Sequence, residues 1–382
     1  MIMNKVILHL AALLFPCFMY SFSFQDFDSY QGKISKEEIK NKLKYLIKTK
    51  ETQNYFSLTE DAFVLYASLE DKRKDQEEYR LILGSSGILQ IPKKSLANCK
   101  VAIDPGHFGG DYSHLEQRFV KISFQKELIT FNEGDLTFLT ALYLKELLEK
   151  EGAEVFLTRT KKAEGALSQN FFQFLQAHPG LWLTQKTLTQ LFRSIYNGVD
   201  LYARAEKINA FKPDVTVIIH YNAHDSEGEK YTSTTDKNFN MVFIPGSFGD
   251  GELKEKKARY EFLRLLVTSD FSLSKQFSKI VLKKFNERLQ IPTVTSSDGA
   301  RYLETASIEV EGVYARNLAL TRLVHGPLCY GESLVQNNLE EALRLSHLDT
   351  EIQGYPCSSR LKEVALAYFE AIQEFFMRQD ET

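Results

Sequence analysis

The chain has 382 residues, a formal net charge of −3, 43% hydrophobic and 25% charged residues, and only 20 glycines and 9 prolines. This balance excludes disordered and collagen-like chains, and the small net charge provides no global field for nucleic acid, so no nucleic-acid partner is expected. At roughly 150 residues per domain, the length allows two domains or one large domain with additions.

At the amino terminus, Lys5 precedes an apolar run from Val6 to Tyr20, and the small residues Ser21 and Ser23 follow. This is the layout of a signal peptide, with cleavage expected near Ser23 and the mature chain exported to the periplasm or beyond. The run is shorter than the ~20 residues of a spanning helix, and no later segment is long and apolar enough, so no membrane span is expected after cleavage. An uncleaved anchor is the alternative. Leu14, Phe15 and Pro16 before Cys17 do not form a lipobox. Loss of Cys17 leaves Cys99, Cys329 and Cys357, which permit at most one internal disulfide. Buried thiols are the simple expectation, and Cys329 with Cys357 is the pair an oxidising compartment would favour.

Residues 24–95 read as a small α+β unit, with a helix over 36–48 and strands near 63–68 and 79–83. The charged stretch Glu70 to Glu78 reads as a solvated hairpin loop, and Gly84-Ser85-Ser86-Gly87 as a linker. From residue 98 to the end, strand and helix patterns alternate, the signature of an α/β domain in which a layered mixed sheet is flanked by helices. Leu136, Leu139, Leu142, Tyr143, Leu147 and Leu148 recur at helical spacing between an Asn132 N-cap and Gly152, and Val155-Phe156-Leu157 begins the next strand. Residues 161–197, read as two short helices, and 226–300, read as polar loop with helical patterns, look inserted. There is no internal repeat.

Two histidines end apolar strands. Val101-Ala102-Ile103 runs through Asp104-Pro105-Gly106 into His107, and Val215 to Ile219 runs into His220. Such carboxyl ends collect functional groups. Two imidazoles there, together with Glu133 at the mouth of the intervening helix, supply the three protein ligands of a catalytic Zn2+ site. Taken singly, each residue is also an ordinary structural one.

The ordered set resembles the zinc-dependent N-acetylmuramoyl-L-alanine amidases called amidase 3. The resemblance rests on Asp104-Pro105-Gly106-His107, on Glu133 opening a helix before a strand that ends in Thr158-Arg159, and on Arg204, Asn209 and His220-Tyr221-Asn222-Ala223. It covers roughly residues 98 to 378. It implies that His107, Glu133 and His220 hold the zinc, and that a further glutamate acts as general base on water attacking the bond between N-acetylmuramic acid and L-alanine. Glu332 suits that role, with Pro327 before it and Asn338, Glu340 and Glu341 after it; Glu311, with Asn317 six residues on, is the competing choice. Peptidoglycan or muropeptides are the implied partners, and no residue pattern identifies a protein activator. Departures from the family pattern are Phe108 in place of a glycine, a longer loop before Glu133, and Ser333-Leu334-Val335 in place of Thr-Gly-Phe.

Other polar residues carry plainer expectations. His224 is a weak ligand candidate, and Asp104 and Asn222 suit partners of the metal-binding histidines or turn residues. Arg204 and Arg322 are open between a substrate carboxylate and structural pairing. The inserted helices of 161–197 are open between a lid and ordinary packing of Phe171, Phe172, Phe174 and Trp182. Two competing readings of the whole use the same residues: an inactive peptidoglycan-binding protein, and a zinc peptidase cutting another amide.

Overall fold

Apolar runs bounded by turn residues form the strands of this chain. In the computed structural model, residues 22–85, 94–184, 186–224, 232–249, 251–298, 300, 303–304 and 306–377 are described. The segment up to Ser21 that reads as a signal peptide, with Cys17, and Ser86 and Gly87 of the expected linker lie outside them. The strands are β1 (Phe56–Leu58), β2 (Ala62–Leu65), β3 (Tyr79–Ile82), β4 (Lys100–Pro105), β5 (Phe119–Phe124), β6 (Glu127–Asn132) and β7 (Glu154–Leu157). They continue with β8 (Val215–Asn222), β9 (Met241–Ile244), β10 (Ser307–Val310), β11 (Val313–Ala315), β12 (Leu328–Val335), β13 (Thr350–Ile352) and β14 (Tyr355–Cys357).

Seven strands make the central sheet in the order β10-β11-β9-β12-β8-β4-β7. β7, β4, β8 and β12 run parallel, β9 and β11 run against them, and β10 is antiparallel to β11. This is the mixed α/β layout expected from the alternating pattern. The parallel strands are covered on both faces, so all eight residues of β8 are buried. Val101, Ile103, Val217 and Ile219 pack into the larger core with the helices Glu133–Lys150, Asp270–Leu289 and Ser359–Met377. Ala102 and Ile218 face the other way, against Ala205 and Ile208 of the helix Asn197–Phe211. The helix Glu133–Lys150 starts where Asn132 Oδ1 accepts a hydrogen bond from Asp135 N at 2.8 Å. It ends before Gly152, whose φ of +87° suits glycine. Cys99, Cys329 and Cys357 are buried free thiols.

The amino-terminal residues form the helix Lys36–Leu46 and the antiparallel sheet β1-β2-β3. The helix begins where Ser35 Oγ accepts from Glu38 N. β1 escaped the sequence reading because Phe-Ser-Leu is too short to show alternation. The charged stretch after β2 carries the short helix Leu69–Arg73 before the largely exposed residues that lead into β3.

This unit docks on the helix Lys256–Val267, supplied by the second insertion. Phe262 is fully buried against Phe56 and Phe63, with ring centroids 5.7 and 6.4 Å away. Arg259 forms a two-pronged pair with Glu78, Nε to Oε2 at 2.5 Å and Nη2 to Oε1 at 2.8 Å. Lys42 is buried and donates from Nζ to the carbonyls of Leu266 and Thr268, both at 2.8 Å, at the carboxyl end of that helix. Replacing Lys42 by Met strands these carbonyls, and the expected loss is about 1–3 kcal/mol of stability in chemical denaturation. A loss below about 0.5 kcal/mol would contradict this account of the docking.

Both insertions carry helices where the periodicity placed them, and each adds structure that periodicity alone did not reveal. Residues 226–300 supply β9, which enters the central sheet beside β12, as well as the two helices named above. Residues 161–197 contain the helices Phe171–Ala177 and Leu188–Leu191, and a π-helical turn, Phe192–Tyr196, then leads into Asn197–Phe211. Phe171, Phe174, Phe192 and Tyr196 form a buried cluster around Phe108, whereas Phe172 and Trp182 are exposed. Phe108 therefore anchors the inserted helices, which accounts for a large apolar residue immediately after His107. The longer loop before Glu133 contains the ribbon β5–β6, joined at Gln125 and Lys126, both at positive φ as in a two-residue hairpin turn.

Candidate metal centre

β4 and β8 lie side by side and deliver His107 and His220 to the same sheet edge. Gly106 passes so close to the His220 ring that a Cβ there would stand 2.3 Å from its Nε2, so only glycine fits. The chain then turns through His107 at φ +62°, a region side chains rarely occupy and one found at functional sites. Two buried arginines hold this turn. Arg204 donates to the carbonyls of Pro105 (2.9 Å) and His107 (3.2 Å) and pairs with Asp200 (2.7 Å) and Asp104 (3.3 Å). Arg159 donates to the carbonyls of Gly134 (2.6 Å) and Gly106 (3.3 Å). The Thr158-Arg159 pair and Arg204 thus serve the scaffold of the site, Thr158 by donating to Asp104.

Glu133, first residue of its helix and almost fully buried, reaches both imidazoles. Its Oε1 lies 3.2 Å from His107 Nε2 and 3.1 Å from His220 Nδ1. Among the described residues these three side chains form the group able to hold a metal ion, with all ligand atoms within 4.8 Å of one another. A tetrahedral ion with bonds of about 2.0–2.1 Å needs donors about 3.3 Å apart, and the two measured separations meet that need. Two nitrogens and one carboxylate oxygen suit a borderline ion such as zinc.

The neighbours of these groups were not read from the sequence. Glu116 is buried and its Oε1 lies 2.7 Å from His107 Nδ1, leaving Nε2 for the centre. It also accepts from Phe108 N at 3.1 Å. Asp104, expected as a possible partner of a histidine ring, instead bonds Arg204 and Thr158. Gln336 and the backbone N–H of Tyr221 hold the Glu133 carboxylate. Burial disfavours charge on His107, but Glu133 and Glu116 outweigh it and lift the imidazole pKa to about 9. Burial lowers His220, assisted by His107, against the pull of Glu133. Burial opposes charge on Glu133 as well, yet the two imidazoles hold it well below the usual carboxylate range.

Glu332 lies on β12 in register with His220 on β8, so the two side chains share one face of the sheet. Its Oε2 is buried without a hydrogen-bond partner among the described residues. Burial first, and the charge of Glu133 second, raise its pKa, while Arg316 pulls it down. Glu311 sits exposed in the turn between β10 and β11, at the sheet edge remote from β4 and β8. His224 turns away to the carbonyl of Asp298, 2.8 Å from its Nε2. Arg322 donates to Asn317 at 2.8 Å, and Asn209 bridges the Leu323 carbonyl and His325 N. Asn222, at the end of β8, is buried.

No curated protein matches the chain in sequence. Among solved structures, it is similar to the CwlD amidase from Clostridioides difficile in complex with the GerS lipoprotein. The identity there is 19%, with 73% of this chain and 98% of that chain covered and a TM-score of 0.43. The N-acetylmuramyl-L-alanine amidase Ami1 from Mycobacterium smegmatis gives 16% identity, 74% and 99% coverage and a TM-score of 0.43. AmiC2 of Nostoc punctiforme gives 15%, 73%, 98% and 0.39. A family model described as N-acetylmuramoyl-L-alanine amidase matches residues 101–353, a span that includes His107, Glu133, His220 and Glu332. The chain belongs to this family, amidase 3.

Proposed function

We propose that the protein is a zinc-dependent hydrolase of the amide between the lactyl group of N-acetylmuramic acid and L-alanine, acting on peptidoglycan or its muropeptides. The observation that carries this reading is the convergence of His107, Glu133 and His220 on one point, with Glu332 beside His220 on the next strand. Bound by those three residues, zinc supplies a Lewis acid for the amide carbonyl and renders water acidic enough to react near neutral pH. Glu332 accepts a proton from the attacking water and returns it to the departing alanine nitrogen. Water thereby adds across the C–N bond, leaving a lactyl carboxylate and a free amino terminus. Glu116 keeps the His107 ring oriented, and Arg159 and Arg204 keep its backbone in the strained turn.

We assign catalysis to residues 98–382 and treat 24–95 as a unit that buttresses the second insertion. Residues 1–23 read as a signal peptide and the substrate lies outside the cytoplasm, so the assigned location is the periplasm or the exterior. No helix among the described residues is long and apolar enough to cross a membrane.

Mass spectrometry of digested peptidoglycan tests the bond cut. Stem peptides starting at a free L-alanine and glycans stripped of peptide are expected. Cleavage within the stem would make the protein a peptidase, and retention on sacculi without release would make it a binding protein.

Metal loading should also depend on pH. With its pKa at about 9, His107 carries a proton at neutral pH in the metal-free protein, and zinc must displace it. Affinity is therefore expected to rise about tenfold per pH unit from neutrality towards that value and then level off. Titration calorimetry in two buffers would count close to one proton released; affinity independent of pH over this range would contradict the assignment.

A further inference from the structure

Gln336, one residue past β12, is fully buried. Its Nε2 donates to Glu133 Oε2 at 3.2 Å and to the Tyr221 carbonyl at 2.8 Å. Both partners only accept, which fixes the orientation of the amide. Its Oε1 is buried with no partner among the described residues. An unsatisfied buried carbonyl is a standing penalty, and a methionine would fill similar space without it. What offsets the penalty is the pair of donated hydrogen bonds.

Those bonds give the two oxygens of Glu133 separate duties. Oε2 is turned to Gln336, while Oε1 accepts from Tyr221 N at 3.2 Å and faces His107 Nε2 and His220 Nδ1. We infer that Gln336 is a positioning residue that restricts Glu133 to one-oxygen coordination, keeping a divalent ion four-coordinate with one position open to water. This inference rests on the metal reading proposed above. Without the amide, the carboxylate is free to offer both oxygens, which fills the open position and weakens the ion as a Lewis acid.

Cobalt(II) substitution reads the coordination number directly, because four-coordinate cobalt absorbs visible light much more strongly than five- or six-coordinate cobalt. The wild-type protein loaded with cobalt(II) is expected to show the intense four-coordinate bands. In Gln336→Met these bands should weaken several-fold, and zinc affinity, measured by chelator competition, should fall about 10- to 100-fold. The metal-free variant should keep the wild-type circular dichroism with a lowered denaturation midpoint, because Glu133 Oε2 and the Tyr221 carbonyl lose a donor, and Gln336→Leu provides the same reading if the Met variant does not fold. A variant with the wild-type cobalt spectrum and zinc affinity within about twofold overturns the inference. A wild-type chain that binds neither zinc nor cobalt(II) overturns the metal reading itself, and this inference with it.

Discussion

Replacing Glu332 by Gln is expected to lower turnover of muramoyl-peptide amides by about 10²- to 10⁴-fold and to leave zinc bound. The substitution preserves size but removes proton acceptance at the group that stands in register with His220. The Oε2 of Glu332, without a partner among the described residues, is the feature a proton shuttle requires, because the carboxylate oxygens of Glu116 and Glu133 already have partners. In the metal-free protein burial and the neighbouring Glu133 charge raise its pKa, and activity should fall on acidification as Glu332 takes up a proton. The sign follows from the role: a base works only when deprotonated. Glu311→Gln, in the exposed turn at the far edge of the sheet, should leave turnover at the wild-type level. Loss of activity in that variant, with Glu332→Gln active, would reverse the two roles.

The largest stability effect is expected at Arg204. Replacing it by Met leaves the carboxylates of Asp104 and Asp200, both fully buried, without their cation. Breaking a buried pair from one side costs about 3–5 kcal/mol, because the remaining charge stays desolvated. The carbonyls of Pro105 and His107 lose donors in the same step, so the strained turn at His107 should loosen and zinc affinity should fall as well. Urea denaturation of the metal-free protein measures the first effect and chelator competition the second. A loss of stability below about 1 kcal/mol would show that this network does not hold the site.

The sequence made the candidate metal triad legible because each member sits at an abrupt change of pattern. His107 and His220 follow apolar strand runs, and Glu133 follows an N-cap. The helix Glu133–Lys150 was legible for the same reason, its leucines recurring at one spacing. Glu116 was not legible: it sits in a five-residue helix with no apolar period, and only the folded turn brings it to His107 Nδ1. Gln336 was hidden because a polar residue beyond a strand end reads as exposed, whereas the end of β12 is covered and the side chain is fully buried. β9 was missed because Met-Val-Phe-Ile is short and lies within a polar, helix-patterned stretch, and its strand character comes from pairing with β12 and β11. Arg204 was open between substrate and scaffold, since nothing local in a sequence states which carboxylates will be buried beside it.

X-ray absorption at the zinc edge tests most directly whether one ion is held by His107, Glu133 and His220. The expected result is one zinc per chain with a shell of nitrogen and oxygen donors at about 2.0–2.1 Å, scattering from two imidazole rings, and loss of one ring in His220→Ala. Sulfur in the shell, or a spectrum unchanged by that substitution, would contradict the account.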